Sequence, residues 1–128
     1  SMTIAEIFEK KGEDFFRKEE EKEVLQSLKI NNCVIALGGG TFINKTVRAN
    51  ILKNAISIWL DVSIETLNSR IKQNYKRPLL KKENNKVKLK DIYNERKKIY
   101  ELANHKIECG KLSKESIAEK IIAIYEKY

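Results

Sequence analysis

Three consecutive glycines, Gly38, Gly39 and Gly40, close a run of five apolar residues from Cys33 to Leu37. An unbroken apolar run of this kind reads as a short strand buried on both faces, the pattern of a parallel sheet between helices. Glycines at its carboxyl end permit a sharp turn at positive φ and clear side chains from between backbone amides and a ligand. That edge of a parallel sheet is where open α/β folds bind small molecules. The same three glycines read equally well as a tight strand-to-helix turn.

Three arginines stand out beside them. Arg17 precedes Glu20 by three residues, within reach for an ion pair on one helix face. The pair reads either as an ordinary surface contact or as an arginine aimed by a partly buried carboxylate. Arg96 sits at the centre of the apolar stripe Leu89, Ile92, Tyr93, Arg96, Ile99, Tyr100, Ala103. A side chain there either snorkels to solvent or meets a bound carboxylate or phosphate. Arg77 heads the sequence Arg77-Pro78-Leu79-Leu80 in a polar stretch, residues 73–88. Such a stretch is a lid or simply a floppy basic loop. No Ser-His-Asp set, Cys/His cluster or isolated carboxylate pair competes with this reading. Residue chemistry alone therefore predicts an anion-binding α/β domain.

The surrounding elements follow from local signals. Thr3 with Glu6 forms a capping box for a short helix that Gly12 ends. A second helix begins near Glu13, with Phe16, Glu20, Val24 and Leu28 on one stripe and Leu25 alongside. A short helix spans Thr46 to Lys53, and a second strand Ala55 to Asp61. Ser63 caps the next helix, a longer one runs from about Leu89 to Asn104, and a third strand covers His105 to Cys109. Ser113 caps the last helix. Alternating strands and helices predict an α/β fold in one domain, residues 3–128. His105, alone at a strand start, reads as structural.

The chain has 128 residues, 26 basic against 18 acidic, and a formal net charge of +8. The excess is lysine spread along every helix and alternating with glutamate, with no basic stripe interleaved with aromatics. It predicts a solvated surface and no nucleic-acid partner, although a basic nucleic-acid module is the competing class. No apolar run approaches a membrane span and no signal peptide is visible, so no membrane partner is expected. Cys33 and Cys109 lie in apolar runs, which predicts buried, reduced thiols and fits the cytoplasm. Ser1-Met2 reads as a cloning scar ahead of a start residue.

Four motifs then occur in order: Gly12-Glu13-x-x-Phe16-Arg17-x-x-Glu20, Leu37-Gly38-Gly39-Gly40, Arg77-Pro78-Leu79-Leu80 and Glu95-Arg96-x-x-x-Tyr100. Together they resemble shikimate kinase, a small ATP-dependent kinase of the nucleoside monophosphate kinase type, over essentially all of Thr3 to Tyr128. The resemblance implies a parallel β-sheet flanked by helices, in a P-loop fold, and transfer of the ATP γ-phosphoryl group to the 3-hydroxyl of shikimate. It implies that Arg17 and Arg96 grip the shikimate carboxylate, that Glu20 orients Arg17, and that Phe16 lines the pocket. Gly38, Gly39 and Gly40 would border the substrate, the last two offering backbone amides. Arg77 would act from the lid on the transferred phosphoryl group and the nucleotide, and the loop at Gly110, Lys111 and Leu112 would lie against adenine.

One departure is large. The family's opening strand, its Gly-x-x-x-x-Gly-Lys-Ser/Thr phosphate loop, the next helix and the strand ending in an aspartate pair have no counterpart in residues 1–128. Gly38-Gly39-Gly40-Thr41 lacks both the spacing and the lysine to stand in. ATP and Mg2+ are the family's cofactors, but most of the residues that would hold them, and every metal ligand, are missing here. The chain thus resembles the carboxyl-terminal portion of such a kinase, expected to be inactive alone. A non-catalytic shikimate-binding fragment and half of a split enzyme are the alternatives.

The family's strand order, 2-3-1-4-5, places its first strand between the counterparts of Cys33–Leu37 and Ala55–Asp61. Three repairs of the gap are open: direct pairing of those two segments, a second copy of the chain, or a complementing amino-terminal segment. Exposed strand edges favour the intermolecular ones.

Overall fold

In a computed structural model, residues 3–72 and 85–128 are described. Helix α1 spans Ile4–Ser27, and the Thr3 hydroxyl caps it by accepting the Glu6 amide at 3.1 Å. Gly12 interrupts α1 at φ 84° and ψ 167°, a left-handed conformation that costs glycine little. The expected two helices therefore meet at a kink. Its second half buries Val24, with Leu25 and Leu28 half-buried beside it.

The chain then passes through residues 33–38 into a single 3-10 turn, Thr41–Ile43, and helix α2, Lys45–Asn54. The Asn44 side chain caps α2 by accepting the Val47 amide at 3.1 Å and donates to Glu21 Oε1 at 2.7 Å. One short side chain thus ties the helix start to α1. Strand β1, Ile58–Asp61, leads to α3, Ile64–Lys72, whose first turn the Ser63 hydroxyl caps. Helix α4 spans Asn85–Tyr100, strand β2 His105–Glu108, and α5 Lys114–Tyr125, capped by Ser113 as its sequence predicts.

β1 and β2 pair in parallel, with Ile58 opposite His105 and Asp61 opposite Glu108. Asn104 sets this register at one end. Its Oδ1 accepts both the amide and the hydroxyl of Ser57, at 3.0 and 2.9 Å, and its own amide donates to Ser57 Oγ at 2.8 Å. Trp59, Ile107 and Cys109 are buried around the pair. The main core joins Val24, Phe42, Val47 and Ile51, covered by Leu28, Ile99, Tyr100 and Ala103. It therefore lies between α1, α2 and α4, directly beneath the glycine turn.

Four expectations change. Cys33–Leu37 is extended but is not a strand: no backbone hydrogen bond joins it to another described residue, and Val34 is 92% exposed. An apolar run becomes a strand only when a neighbour supplies its ladder, and none does so among the described residues. Cys33 is accordingly exposed, whereas Cys109 is buried as expected. β1 is shorter than Ala55–Asp61, since Ala55 still closes α2 and Ser57 is taken up by Asn104. Helix α4 begins at Asn85, so residues 85–88 belong to it and not to a lid; residues 73–84 of the expected lid, with Arg77, lie outside the described residues.

Candidate functional site

The glycine turn lies between the two arginines picked out by residue type. None of Gly38, Gly39 and Gly40 has a positive φ; among glycines only Gly12 and Gly110 do. The sharp-turn reason for the triplet therefore fails, and the close-approach reason holds. A Cβ on Gly38 would stand 3.2 Å from Glu20 Oε2, and one on Gly39 2.7 Å from Arg96 Nη1. A Cβ on Gly40 would stand 2.8 to 2.9 Å from all three outer atoms of the Arg17 guanidinium. Each glycine makes room for a different charged side chain.

Arg17 reaches the turn from the kinked helix α1. Its Nη1 donates to Glu20 Oε1 at 2.9 Å, one turn on, and its Nε lies 3.5 Å from Glu13 Oε2, one turn back. The Glu20 side chain is 18% exposed, so this is the aimed arginine rather than a loose surface pair. Arg96 approaches from α4. Among the described residues it makes no ion pair, which leaves its cation available to an anion. Between the arginines opens a cavity of about 310 Å³, lined by Glu13, Arg17, Gly40, Ile43, Glu95, Arg96 and Ile99. The two arginines could meet an anion there, with Glu13 and Glu95 also on the wall and Ile43 and Ile99 as its apolar sides.

The core holds this arrangement in place. Phe42, two residues past the triplet, is buried, and the Phe42 and Ile43 carbonyls both accept from Arg48 Nη1 at 3.1 Å. The Tyr100 hydroxyl donates to the Gly39 carbonyl, bridging 61 positions of sequence. A second cavity, about 210 Å³, runs behind the turn along Glu20, Val24, Ser27 and Ile35 to Thr41.

Arg17, Glu20, Gly38, Gly39, Gly40 and Arg96 are thus brought together. Phe16 does not line the cavity; its ring packs at 5.1 Å from Phe8 and lies beneath the Arg17 guanidinium, 5.3 Å from ring centre to Cζ. Gly110, at φ 46°, and exposed Lys111 follow the carboxyl end of β2 and are not among the residues that line this cavity. Sequence reasoning missed Glu13, Ile43, Glu95 and Ile99 as cavity walls, and the bond made by Tyr100. The four-residue spacing from Glu13 to Arg17 signals the first, and Glu95 and Ile99 lie within three residues of Arg96; nothing local signals Ile43 or the Tyr100 bond.

At the carboxyl end of β1, Tyr93 Oη donates to Asp61 Oδ1 at 2.9 Å, and Lys106 Nζ lies 3.8 Å from Asp61 Oδ2. Partial burial, and then the bonded Asp61 carboxylate, raise the Tyr93 phenol above its ordinary value of about 10. His105, read as structural, contacts the Tyr128 hydroxyl through Nε2 at 2.5 Å. Among the described residues no three or more His, Cys, Asp or Glu side chains cluster in a way that could hold a metal ion. Among them too, no helix is long and apolar enough to cross a membrane.

A parallel strand pair flanked by helices, with a two-arginine cavity over a glycine turn, defines an α/β protein with an arginine-lined cavity. The sequence model of the shikimate kinase family matches residues 1–126, and the chain belongs to that family. It is 38% identical over 127 residues to the shikimate kinase of Bartonella henselae, covering 99% of this chain and 60% of that protein. With the shikimate kinase of a Sulfurihydrogenibium species it shares 38% identity over 121 residues, covering 94% of this chain and 72% of the relative. The chain thus spans about three-fifths to three-quarters of the length of these relatives. Its fold matches the solved shikimate kinase from Acinetobacter baumannii in complex with shikimate, at a TM-score of 0.91 and 31% identity. That match covers 98% of this chain and 70% of the other.

Proposed function

We propose that this chain carries the shikimate-carboxylate end of a shikimate kinase-type phosphotransferase, which converts ATP and shikimate to ADP and 3-phosphoshikimate. The observation that carries the reading is the convergence of Arg17 and Arg96 on Gly39 and Gly40, beside a cavity of about 310 Å³. A solved relative of the same fold is in complex with shikimate. In this reading Arg17, fixed by Glu20, takes one side of the carboxylate in a two-pronged grip and Arg96 takes the other. Backbone amides of Gly39 and Gly40 meet the ring substituents, unobstructed because the turn has no side chains. Arg77 acts from the lid on the transferred phosphoryl group, and Gly110 and Lys111 lie against the nucleotide.

Residues 1–128 contain no phosphate-loop sequence, so the lysine and the hydroxyl that such a loop supplies have no counterpart in them. Phosphoryl transfer depends on those groups for positioning and charge stabilisation. Acting alone, these residues therefore bind shikimate without phosphorylating it. A complementing amino-terminal segment or a second copy of the chain is the partner that this reading calls for.

Titration of shikimate into isotopically labelled protein, following the Gly39 and Gly40 amides, tests the site. Both resonances should move at millimolar ligand, and stationary resonances would refute the clamp. A coupled kinase assay should show no turnover by purified chain. Turnover that scales with the chain and disappears in Arg96→Ala would refute the inactivity.

A further inference from the structure

We infer that Tyr100 is a positioning residue that orients the Gly39–Gly40 peptide, and through it the backbone donor offered to the bound anion. Its ligand is taken from the shikimate reading above; its geometry is independent of that reading. The Tyr100 hydroxyl donates to the Gly39 carbonyl oxygen. Among the described residues no peptide bond is cis, and in a planar trans peptide the carbonyl and the following N–H point in opposite directions. Holding the Gly39 oxygen on the Tyr100 side therefore holds the Gly40 N–H on the other side. Gly40 lines the cavity with Arg17 and Arg96, and its N–H has no acceptor among the described residues.

The tether is needed because the turn has few restraints of its own. Three glycines in a row can rotate their peptide planes at little steric cost. Around them, Thr41 N donates to Gly38 O at 3.2 Å and Ile43 N to Gly40 O at 3.3 Å, which leaves the central Gly39 carbonyl to Tyr100. Tyr100 is itself well placed to act as a fixed post. Its ring meets buried Trp59 of β1 at 5.9 Å between centroids, and it packs on the Val24, Phe42, Val47 and Ile51 core. One turn earlier on the same helix, Arg96 lies against the space over Gly39. Helix α4 thus supplies the cation and, four residues on, the bond that sets the adjacent amide, so both move as one unit.

The test is Tyr100→Phe in the full chain, which keeps the ring against Trp59 and removes only the hydroxyl. In ligand-free protein the Gly39 and Gly40 amide resonances should shift and Gly40 N–H exchange should quicken, while the melting temperature stays within a few degrees. Shikimate affinity should fall roughly fivefold, as expected for loss of one modest hydrogen bond. Unshifted glycine amides, or shifted amides with unchanged affinity, would overturn the proposal. If the wild-type chain binds no shikimate, the ligand reading fails on that result alone and the ligand-free resonances still judge Tyr100. If the variant does not fold, the wild-type Gly39 carbonyl carbon decides: a hydrogen-bonded shift upholds the tether and an unbonded one refutes it.

Discussion

The guanidinium of Arg17 fills the space that a β-carbon on Gly40 would need, at 2.8 to 2.9 Å, so the glycine and the arginine are one structural unit. The same relation joins Arg96 to Gly39. Gly40→Ala should therefore act through Arg17, and Gly39→Ala through Arg96. In both cases the clash is with the mobile end of a long side chain, which can swing aside, so thermal stability should change little. Shikimate affinity should fall roughly tenfold as one two-pronged contact is lost. Calorimetric titration with parallel melting curves checks this; a collapse in stability would show that the glycines serve the backbone instead.

Arg17→Lys should weaken binding by a similar factor, since an ammonium cannot make the planar double contact. Glu20→Gln should also weaken it, by releasing Arg17 from its 2.9 Å partner. The two effects should be less than additive in a double variant, because both act through the same guanidinium. Strict additivity in a double-mutant cycle would refute the aiming role of Glu20.

Stability should respond to alkaline pH through Tyr93. Its phenol is raised in the folded chain by burial first and by Asp61 second. The folded state therefore holds this proton more tightly than the unfolded state does. That contribution is fully present below the ordinary phenol value of about 10 and is lost as pH rises through the higher folded value. Tyr93→Phe should flatten this part of the fall in melting temperature above about pH 10. An identical alkaline profile in both proteins would count against the Tyr93–Asp61 bond.

The chain should self-associate or accept a complementing strand. The backbone of Cys33–Leu37, unpaired among the described residues and with Val34 92% exposed, offers a template for intermolecular pairing. Light scattering should report a mass above 14.9 kDa at high concentration, and Val34→Lys should lower it. A monomer with fully protected amides from Val34 to Leu37 would refute the pairing and favour local repacking.

What the sequence determined by itself was whatever depends on near neighbours. The caps at Thr3, Ser63 and Ser113, the break at Gly12 and the pairing of Arg17 with Glu20 all act within one helical turn, and all are found as read. The four spaced motifs also carried the family. Only the tertiary structure decided the rest. Five apolar residues at Cys33–Leu37 announce burial, but a strand exists only where a distant segment supplies its ladder, and no described residue does so. The glycine triplet announced freedom, yet not its use: the space is taken by Glu20, Arg96 and Arg17, from helices before and after it. The bond from Tyr100 to Gly39 spans 61 positions, and no local pattern encodes it. Such contacts form only when the shared core docks α4 against the turn, because burial selects which distant polar groups come within bonding range.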